Sequence, residues 1–317
     1  MTEMNSSANN LGIVDNRYIL LEFLGSGISS FVYKARDSTN NKEYALKLIN
    51  EDAELRNEIE INEFISKSNN PSFVKYITSS VGYFVDEESK SLQTYLILEL
   101  ANKGSVLDYI MKYGEPLKDK LCKLFFAKLL NIVKDLHKMG ICHRDLKLEN
   151  FLFDGEKFII KLSDFGLSSF ILKNKKGKPK RQNEYVGTRK YAAPEILLNI
   201  PYDGEKADIF SLGVILFNLK TCNQGFENAS IDDPFYQFIK EGKIDNYWKI
   251  LKQKKGIDGL SEEFKNLYIK MISFKPKNRP TIEEIYNDEW MKEIRDLNEQ
   301  ELNDLEQELI DELKSRE

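Results

Sequence analysis

Four polar residues with distinct chemistry lie within one short stretch, residues 143–166, which reads HRDLKLENFLFDGEKFIIKLSDFG. Asp145 carries a carboxylate that can accept the proton of a hydroxyl group, and Lys147 follows two residues later. Asn150 and Asp164 offer hard oxygen ligands of the kind that Mg²⁺ prefers. An apolar hairpin predicted between them would bring both to one metal pair. Residues of these types could place a carboxylate beside a Mg²⁺ site, with Mn²⁺ as the alternative metal.

A second chemical signal lies near the start of the chain, where GSGISS joins two strand-like segments. The backbone amides of small residues can lie close to polyphosphate oxygens because no side chain intervenes. Ser30 stands where a G-x-G-x-x-G pattern has its third glycine, and by itself the loop fits an ordinary hairpin turn about as well. Lys47, in YALK, favours an anion site, because an ammonium on a central strand is costly to bury unless anionic groups meet it.

The order of these motifs resembles that of the eukaryotic protein kinases. Over residues 17–292 the glycine loop, YALK, HRDLKLEN, DFG, GT…APE, DIFSLG and the late Arg279 follow one another. LKLE after Asp145 resembles the serine/threonine type, and the late stretches resemble the calmodulin-kinase-like and AMP-kinase-like branch. The resemblance implies a signalling enzyme that transfers the γ-phosphoryl group of ATP to Ser or Thr hydroxyl groups of protein substrates.

The resemblance also assigns roles to individual residues. The residues with an implied catalytic role are Asp145, Lys147, Lys47, Glu58 and Thr188. The implied metal ligands are Asn150 and Asp164. The implied ATP-binding residues are Leu24, Gly25, Ser26, Gly27, Ile28, Ser29, Ser30, Val32, Ala45, Lys47, Leu98, Glu99, Ala101 and Leu152. Among these, the Glu99 carbonyl and the Ala101 amide would pair with the adenine edge.

The acidic partner of Lys47 is open to two interpretations. Glu58 and Glu60 both lie in the helical segment EDAELRNEIEINEFISKS. Glu58 is preferred because Ile59 and Ile61 then lie where the helix must pack, and Glu60 is the alternative. A third interpretation is that the chosen residue is only a solvated glutamate on the helix surface.

His143 is predicted to be a packed structural residue beside the phenylalanine of DFG, and not a general base. The other histidine, His137, ends a helix in LHKMG and is predicted to be a capping or core residue.

The implied fold class is α+β, in the bilobal arrangement of protein kinases. A small N-lobe of five antiparallel strands and one helix is expected over residues 17–99, and a larger, mainly helical C-lobe over residues 100–292. Residues 1–16 are polar and predicted to be disordered. Residues 293–317 are predicted to form an acidic amphipathic helix, because leucines recur every three or four residues. Docking of this helix on the large lobe is the first interpretation, and a short coiled-coil contact is the second.

The composition excludes several other classes of protein. With 41% hydrophobic and 31% charged residues among 317, the chain is globular and not disordered as a whole. Its three cysteines form no C-x-x-C pair, which predicts a reducing intracellular setting, the cytoplasm with the nucleus as the alternative. The net charge of −5 comes from residues 293–317, where ten acidic residues face three basic ones. We expect no membrane or nucleic-acid partner, and a monomer in which only the C-terminal helix offers a further contact.

Two segments suggest how the protein is regulated. Glu184 stands three residues before Gly187, where phosphorylation-switched kinases usually have Ser or Thr. Its carboxylate could mimic part of a phosphate's charge near Arg144, which predicts partial activity without activation-loop phosphorylation. Residues 173–181, KNKKGKPKR, are interpreted as a solvated loop or, less favoured, as a docking site for an acidic partner or for the acidic tail.

The rival to an active kinase is a pseudokinase scaffold that binds partners without catalysis. Its support is limited to Ser30 and to the short separation of eleven residues between Lys47 and Glu58. The presence of Lys47, Asp145, Asn150 and Asp164 argues against it.

Overall fold

The computed structural model describes residues 11–27, 30–49, 55–85, 90–172 and 181–317. The chain divides into two compact units, the first ending at Asn102 and the second spanning Lys103–Glu317. The first is rich in strands and the second in helices, which confirms the predicted α+β class with two lobes. The division falls within the connection predicted near residues 99–104, three residues beyond the expected N-lobe boundary at residue 99.

The first unit contains six strands and one helix in its described part. They are β1 (Ile13–Val14), β2 (Tyr18–Ser26), β3 (Ser30–Asp37), β4 (Glu43–Ile49), α1 (Leu55–Lys67), β5 (Tyr76–Val85) and β6 (Lys90–Leu98). The strands pair antiparallel in the order β1-β2-β3-β4-β6-β5, and β1 also pairs with β5, so the sheet closes into a barrel. Its core consists of Val14, Tyr18, Leu20, Ala35, Leu46, Leu48, Tyr95 and Ile97.

The five predicted strands are present, and β1 adds a sixth within the segment predicted to be disordered. The prediction of disorder is therefore wrong for Ile13 and Val14, and its part over residues 1–10 lies outside the described residues. Ile13 lies opposite both Ile19 of β2 and Val85 of β5. The chain then turns through Asp15 and Asn16, whose φ angles of 54° and 51° are in the region that Asp and Asn tolerate best. A two-residue strand next to polar residues gives too short a pattern for its alternation to be visible in the sequence.

The second unit is built mainly from helices. Its elements are α2 (Val106–Tyr113), α3 (Asp119–Lys138), β7 (Ile141–Cys142), β8 (Phe151–Asp154), β9 (Ile159–Leu162), β10 (Ser169–Phe170), α4 (Pro194–Leu197), α5 (Gly204–Thr221), α6 (Tyr236–Lys240), α7 (Ile244–Lys255), α8 (Glu262–Met271), α9 (Ile282–Tyr286), α10 (Lys292–Arg295) and α11 (Glu299–Lys314). No helix in the described ranges is long and apolar enough to cross a bilayer.

The central helix of this unit is α5, which is buried over most of its length. The Asp203 side chain caps its first turn by accepting hydrogen bonds from the amides of Glu205 and Lys206. The helix ends at Cys222, which has a left-handed φ of 51°. Because α5 is buried, a charged side chain on it, Asp208, is 0% exposed and must be satisfied by neighbouring segments.

The acidic C-terminal segment forms two helices and not the single helix predicted over residues 293–317. The break between α10 and α11 lies at residues 296–298, where the Asn298 side chain caps α11 and Glu301 completes a capping box. In α11, Leu305, Leu309 and Leu313 are buried, and the helix contacts α3 of the same unit.

Candidate active site

The described part of the glycine loop in the first unit consists of residues 25–27 and Ser30. The amide of Gly27 donates to the carbonyl oxygen of Ser30 at 2.8 Å. A β-carbon on residue 27 would lie only 3.0 Å from Ser30 Oγ. The Ser30 side chain therefore lies next to the space that a side chain on residue 27 would enter. Ile28 and Ser29, which were predicted to contact ATP, lie outside the described residues.

Four of the predicted nucleotide-binding residues lie on one face of the sheet. Val32 of β3 is opposite Lys47 of β4, and Ala45 of β4 is opposite Leu98 of β6. Directly opposed residues share a face, as do residues two apart on one strand. Leu46, between Ala45 and Lys47, points to the core on the other side. The register alone therefore brings these four side chains together.

The remaining predicted nucleotide contacts of the first unit lie at its strand ends. Leu24 is 45% exposed and stands at an irregularity of the β2–β3 ladder, next to Gly25. The Glu99 amide donates to the Lys75 carbonyl at 2.8 Å, and Ala101 is half-buried near the end of the unit. Their contacts with adenine stay predictions.

Lys47 forms an ion pair with Glu58 of α1. Lys47 Nζ lies 2.6 Å from Glu58 Oε1, and both side chains are 8% exposed. The Glu58 carbonyl in turn accepts a hydrogen bond from Asn62 Nδ2 at 2.9 Å. Glu60, the alternative partner, is exposed on the same helix. A separation of eleven residues is thus long enough for a strand and the next helix to form this pair.

The loop that carries Asp145 is held by a carboxylate from α5. Asp208 accepts hydrogen bonds from the amides of His143 at 2.9 Å and Arg144 at 2.8 Å, and its Oδ2 atom lies 2.8 Å from His137 Nε2. Arg144 has a φ of 67°, which is uncommon for a residue with a side chain. The buried carboxylate therefore stabilises a backbone conformation that the loop would otherwise rarely adopt.

Both oxygens of Asp145 accept hydrogen bonds from other residues of the predicted catalytic set. Thr188 N donates to Oδ1 at 2.6 Å, and Lys147 Nζ donates to Oδ2 at 2.7 Å. Lys147 Nζ also donates to Thr188 Oγ1 at 3.1 Å. Gly187 permits this approach, because a β-carbon there would lie 2.6 Å from the Arg144 carbonyl oxygen. The structure thus brings Asp145, Lys147 and Thr188 into one network.

Asn150 and Asp164 are joined by the β8–β9 hairpin. The amide of Ser163, just before Asp164, donates to the Asn150 carbonyl at 2.9 Å. Asn150 Nδ2 donates to the Asp145 carbonyl at 2.9 Å, which leaves Oδ1 as the amide oxygen suited to a cation. No group of three or more His, Cys, Asp and Glu side chains that could hold a metal occurs in the described ranges. Two oxygen donors fit a Mg²⁺-like ion that takes its other ligands from phosphate and water.

His143 has the structural surroundings that the sequence predicts. It is fully buried, its ring centroid lies 5.5 Å from that of Phe165, and its Nε2 atom lies 3.1 Å from the Ser163 carbonyl oxygen. Leu152, a predicted adenine contact, is half-buried in β8 and lies opposite Lys161 of β9.

The activation segment, residues 164–195, is attached through Arg144 to the loop that carries Asp145. The Nη1 atom of Arg144 donates to Glu184 Oε2 at 2.7 Å and to Gln182 Oε1 at 3.1 Å. Gln182 also forms a β-bridge with Tyr202, whose hydroxyl lies 3.4 Å from the same nitrogen. Sequence reasoning identified Glu184 but missed Gln182 and Tyr202, since neither residue belongs to a motif.

The far end of the segment is fixed by a second ion pair. Both Arg279 terminal nitrogens donate to the Glu195 carboxylate at 2.6 Å, and both side chains are at most 3% exposed. Paired, planar hydrogen bonds of this type hold both groups in one orientation.

Comparison with known sequences agrees with this geometry. The family model described as the protein kinase domain matches residues 18–291, so the chain belongs to the protein kinase family. It is similar to the human SNF-related serine/threonine-protein kinase, with 37% identity over 210 residues, and to the rat protein of that name, with 35% identity over 210 residues. These matches cover 66% of this chain but only about a quarter, 25% and 26%, of the two relatives.

A third relative is matched over most of its length. The mouse testis-specific serine/threonine-protein kinase 3 is 27% identical over 292 residues, which cover 88% of this chain and 97% of the relative. Together these matches confirm the resemblance to serine/threonine protein kinases of the calmodulin-kinase-like and AMP-kinase-like branch.

Proposed function

We propose that this chain transfers the γ-phosphoryl group of ATP to Ser or Thr hydroxyl groups of intracellular protein substrates, in the cytoplasm and as a monomer. The observation that carries the proposal is the network in which Asp145 accepts hydrogen bonds from Lys147 and Thr188. A carboxylate held in this way can accept the proton of a substrate hydroxyl. The Lys147 ammonium beside it offers positive charge for the group being transferred.

Asn150 and Asp164 are the residues that would hold the divalent cation, which we propose to be Mg²⁺. Such an ion supplies positive charge that neutralises the phosphate oxygens. Lys47, oriented by Glu58, is proposed to bind phosphate oxygens of the nucleotide. No contact of the described residues favours a pseudokinase. Asp145 is hydrogen-bonded to Lys147 and Thr188, and Lys47 is paired with Glu58, as the proposed transfer requires.

The test is the transfer of radiolabelled phosphate from ATP to a generic protein substrate in the presence of Mg²⁺. Asp145→Ala is expected to reduce transfer by about a thousandfold or more, since it removes the proton acceptor. Asp232→Ala, which removes an exposed carboxylate of the same unit, serves as the control and is expected to leave the rate unchanged. Equal transfer by the two variants would contradict the proposal.

We further propose that Glu184 allows partial activity without a phosphorylated activation segment. Its carboxylate already accepts a hydrogen bond from Arg144 and lies 2.7 Å from that guanidinium, although Glu184 is 61% exposed. Protein made in bacteria and shown by mass spectrometry to carry no phosphate on residues 164–195 is expected to transfer phosphate. Inactivity of this protein until an upstream kinase is added would contradict the proposal.

A further inference from the structure

The helix α11 packs its apolar side against the rest of the second unit. Leu305, Leu309 and Leu313 are 4%, 3% and 2% exposed, so its apolar side is almost completely covered. On α3, Lys128 forms an ion pair with Glu306 of this helix. Apolar burial and this ion pair therefore both hold α11 against the second unit.

Directly after α11, the Arg316 side chain inserts into the second unit. Arg316 is only 5% exposed, and its Nη1 atom donates to the Glu115 carbonyl at 3.0 Å. Its Nε and Nη2 atoms donate to Glu312 Oε1 at 3.1 and 2.8 Å. A buried guanidinium is costly unless its donors are satisfied, so these contacts fix the end of the helix.

Glu317 extends this anchor to the first residue of the second unit. Its Oε1 atom lies 2.7 Å from Lys103 Nζ and 3.4 Å from the Tyr109 hydroxyl. A second carboxylate, that of Glu156, is farther from the same ammonium, at 3.4 Å. The hydrogen bond with Glu317 is the main reason that the pKa of Lys103 is raised.

The backbone next to Lys103 is part of the structure that carries Leu152. Lys103 N donates to the Phe153 carbonyl at 3.0 Å, and Phe153 N donates to the Gly104 carbonyl at 2.9 Å. Ser105 forms a β-bridge with Leu152 itself. The Tyr109 ring packs edge-on against that of Phe153, with 5.0 Å between centroids.

A continuous set of contacts therefore runs from the end of α11 to β8, the strand that directly follows Asn150. We propose that Arg316 and Glu317 are positioning residues: they hold the Lys103–Ser105 segment against β8 and so set the affinity for ATP through Leu152. This inference rests on the proposed kinase function, because Leu152 has a role in binding only if the chain binds a nucleotide.

The test uses the full chain with Glu317→Gln, Arg316→Ala and the double variant. Amide hydrogen exchange at Lys103 and Phe153 is expected to rise at least about threefold, because their hydrogen bonds join the segment to β8. The dissociation constant for ATP with Mg²⁺ is expected to rise about three- to fivefold. In Glu317→Gln, the KM for the protein substrate and the unfolding midpoint are expected to stay unchanged. A purely structural role would instead predict a lower unfolding midpoint.

Two further variants separate position from charge. Glu308→Gln makes the same charge change within α11, but its partner Lys118 is 3.5 Å away and both side chains are exposed. It is expected to change neither exchange nor ATP affinity. Glu317→Asp keeps a carboxylate and is expected to recover at least about half of the lost affinity.

Exchange at Lys103 and Phe153 that is unchanged in Glu317→Gln would overturn the proposal, and this result does not depend on whether the parent protein transfers phosphate. Increased exchange with unchanged ATP affinity would overturn the link to the nucleotide. Faster phosphate transfer by Arg316→Ala would also overturn it, because the helix end would then restrain the enzyme. Failure of the parent protein to bind ATP would instead contradict the proposed function.

Discussion

The two units hold the charged residues of their predicted sites in different ways. In the first unit, Lys47 and Glu58 meet side chain to side chain, one on a strand and the other on a helix. In the second unit, Asp208 accepts hydrogen bonds from the backbone amides of His143 and Arg144, so a single carboxylate fixes the course of the loop. A side-chain pair depends on where its helix lies, whereas a backbone-bonded loop is fixed by the fold of its own unit.

This difference predicts different consequences of mutation. Changes in the second unit should reduce its stability together with catalysis, and changes at Lys47 and Glu58 should mainly reduce nucleotide binding. The two effects can be measured separately, because both tryptophans, Trp248 and Trp290, belong to the second unit. Tryptophan fluorescence during denaturation therefore reports the unfolding of the second unit alone.

Asp208→Ala is expected to have the largest effect. It leaves two buried backbone amides without their acceptor, so the unfolding free energy of the second unit should fall by about 4 kcal/mol. Tryptophan fluorescence in urea measures this change. Asp208→Asn keeps the volume and one oxygen acceptor and should lose about half as much. If the unfolding free energy of the alanine variant fell by less than about 1 kcal/mol, Asp208 would not be what holds the loop in place.

Glu58→Gln tests the first unit at its buried ion pair. The variant leaves the Lys47 ammonium without its paired charge, and breaking a buried pair of this kind costs about 3 kcal/mol. We expect ATP affinity to fall at least about tenfold while the tryptophan-reported midpoint stays constant. The matched control is Glu60→Gln, an exposed residue on the same helix that should behave like the parent. An equal loss of ATP affinity in both variants would contradict the assignment of Glu58 as the specific partner of Lys47.

A second pair in the first unit makes its stability depend on pH. Asp37 is 1% exposed and accepts hydrogen bonds from Arg17 Nη2 at 2.7 Å and Nε at 3.0 Å, and from Thr39 N at 2.9 Å. The hydrogen bond from Arg17 is the main reason that the pKa of Asp37 lies well below its usual value of about 4. Because the pKa is lowered in the folded state, the pair stabilises the unit above about pH 4, and this contribution is lost as the pH falls through the lowered pKa.

Asp37→Asn should therefore destabilise the first unit by about 2 kcal/mol at pH 7. It should also remove the contribution of Asp37 to the pH dependence of this unit's stability. Protection factors of the Ala35 and Leu46 amides, measured between pH 7 and pH 3, follow this unit directly. Glu22→Gln, an exposed residue on β2, is the control. An identical pH profile in parent and Asp37→Asn would contradict the assignment.

Glu184→Gln is expected to have the smallest effect. The Arg144 side chain is 7% exposed and that of Glu184 is 61% exposed, so solvent screens the pair, and transfer should fall only about threefold. High salt should lower the parent rate more than that of the variant. Equal rates at low salt would mean that Gln182 and Tyr202 hold Arg144 without the carboxylate.

Much of the second unit's site was predictable because its residues are close in sequence. Asp145, Lys147 and Asn150 lie within six positions, and the hairpin that leads to Asp164 has a clear apolar pattern. The resemblance to protein kinases implied that they form one site. The same reasoning found Thr188 only because Gly187-Thr188 belongs to a recognisable motif.

The sequence by itself determined the family, the two-lobed α+β class and the residues that form the hydrogen-bond network around Asp145. Only the tertiary structure decided that Glu58 and not Glu60 meets Lys47, that β1 closes the sheet, and that α11 ends beside Lys103. The physical reason is the distance along the chain between the residues that interact. A motif shows which residues lie close together in sequence. Strand closure, helix register and the docking of α11 depend on burial and hydrogen bonds between segments that are far apart in the chain.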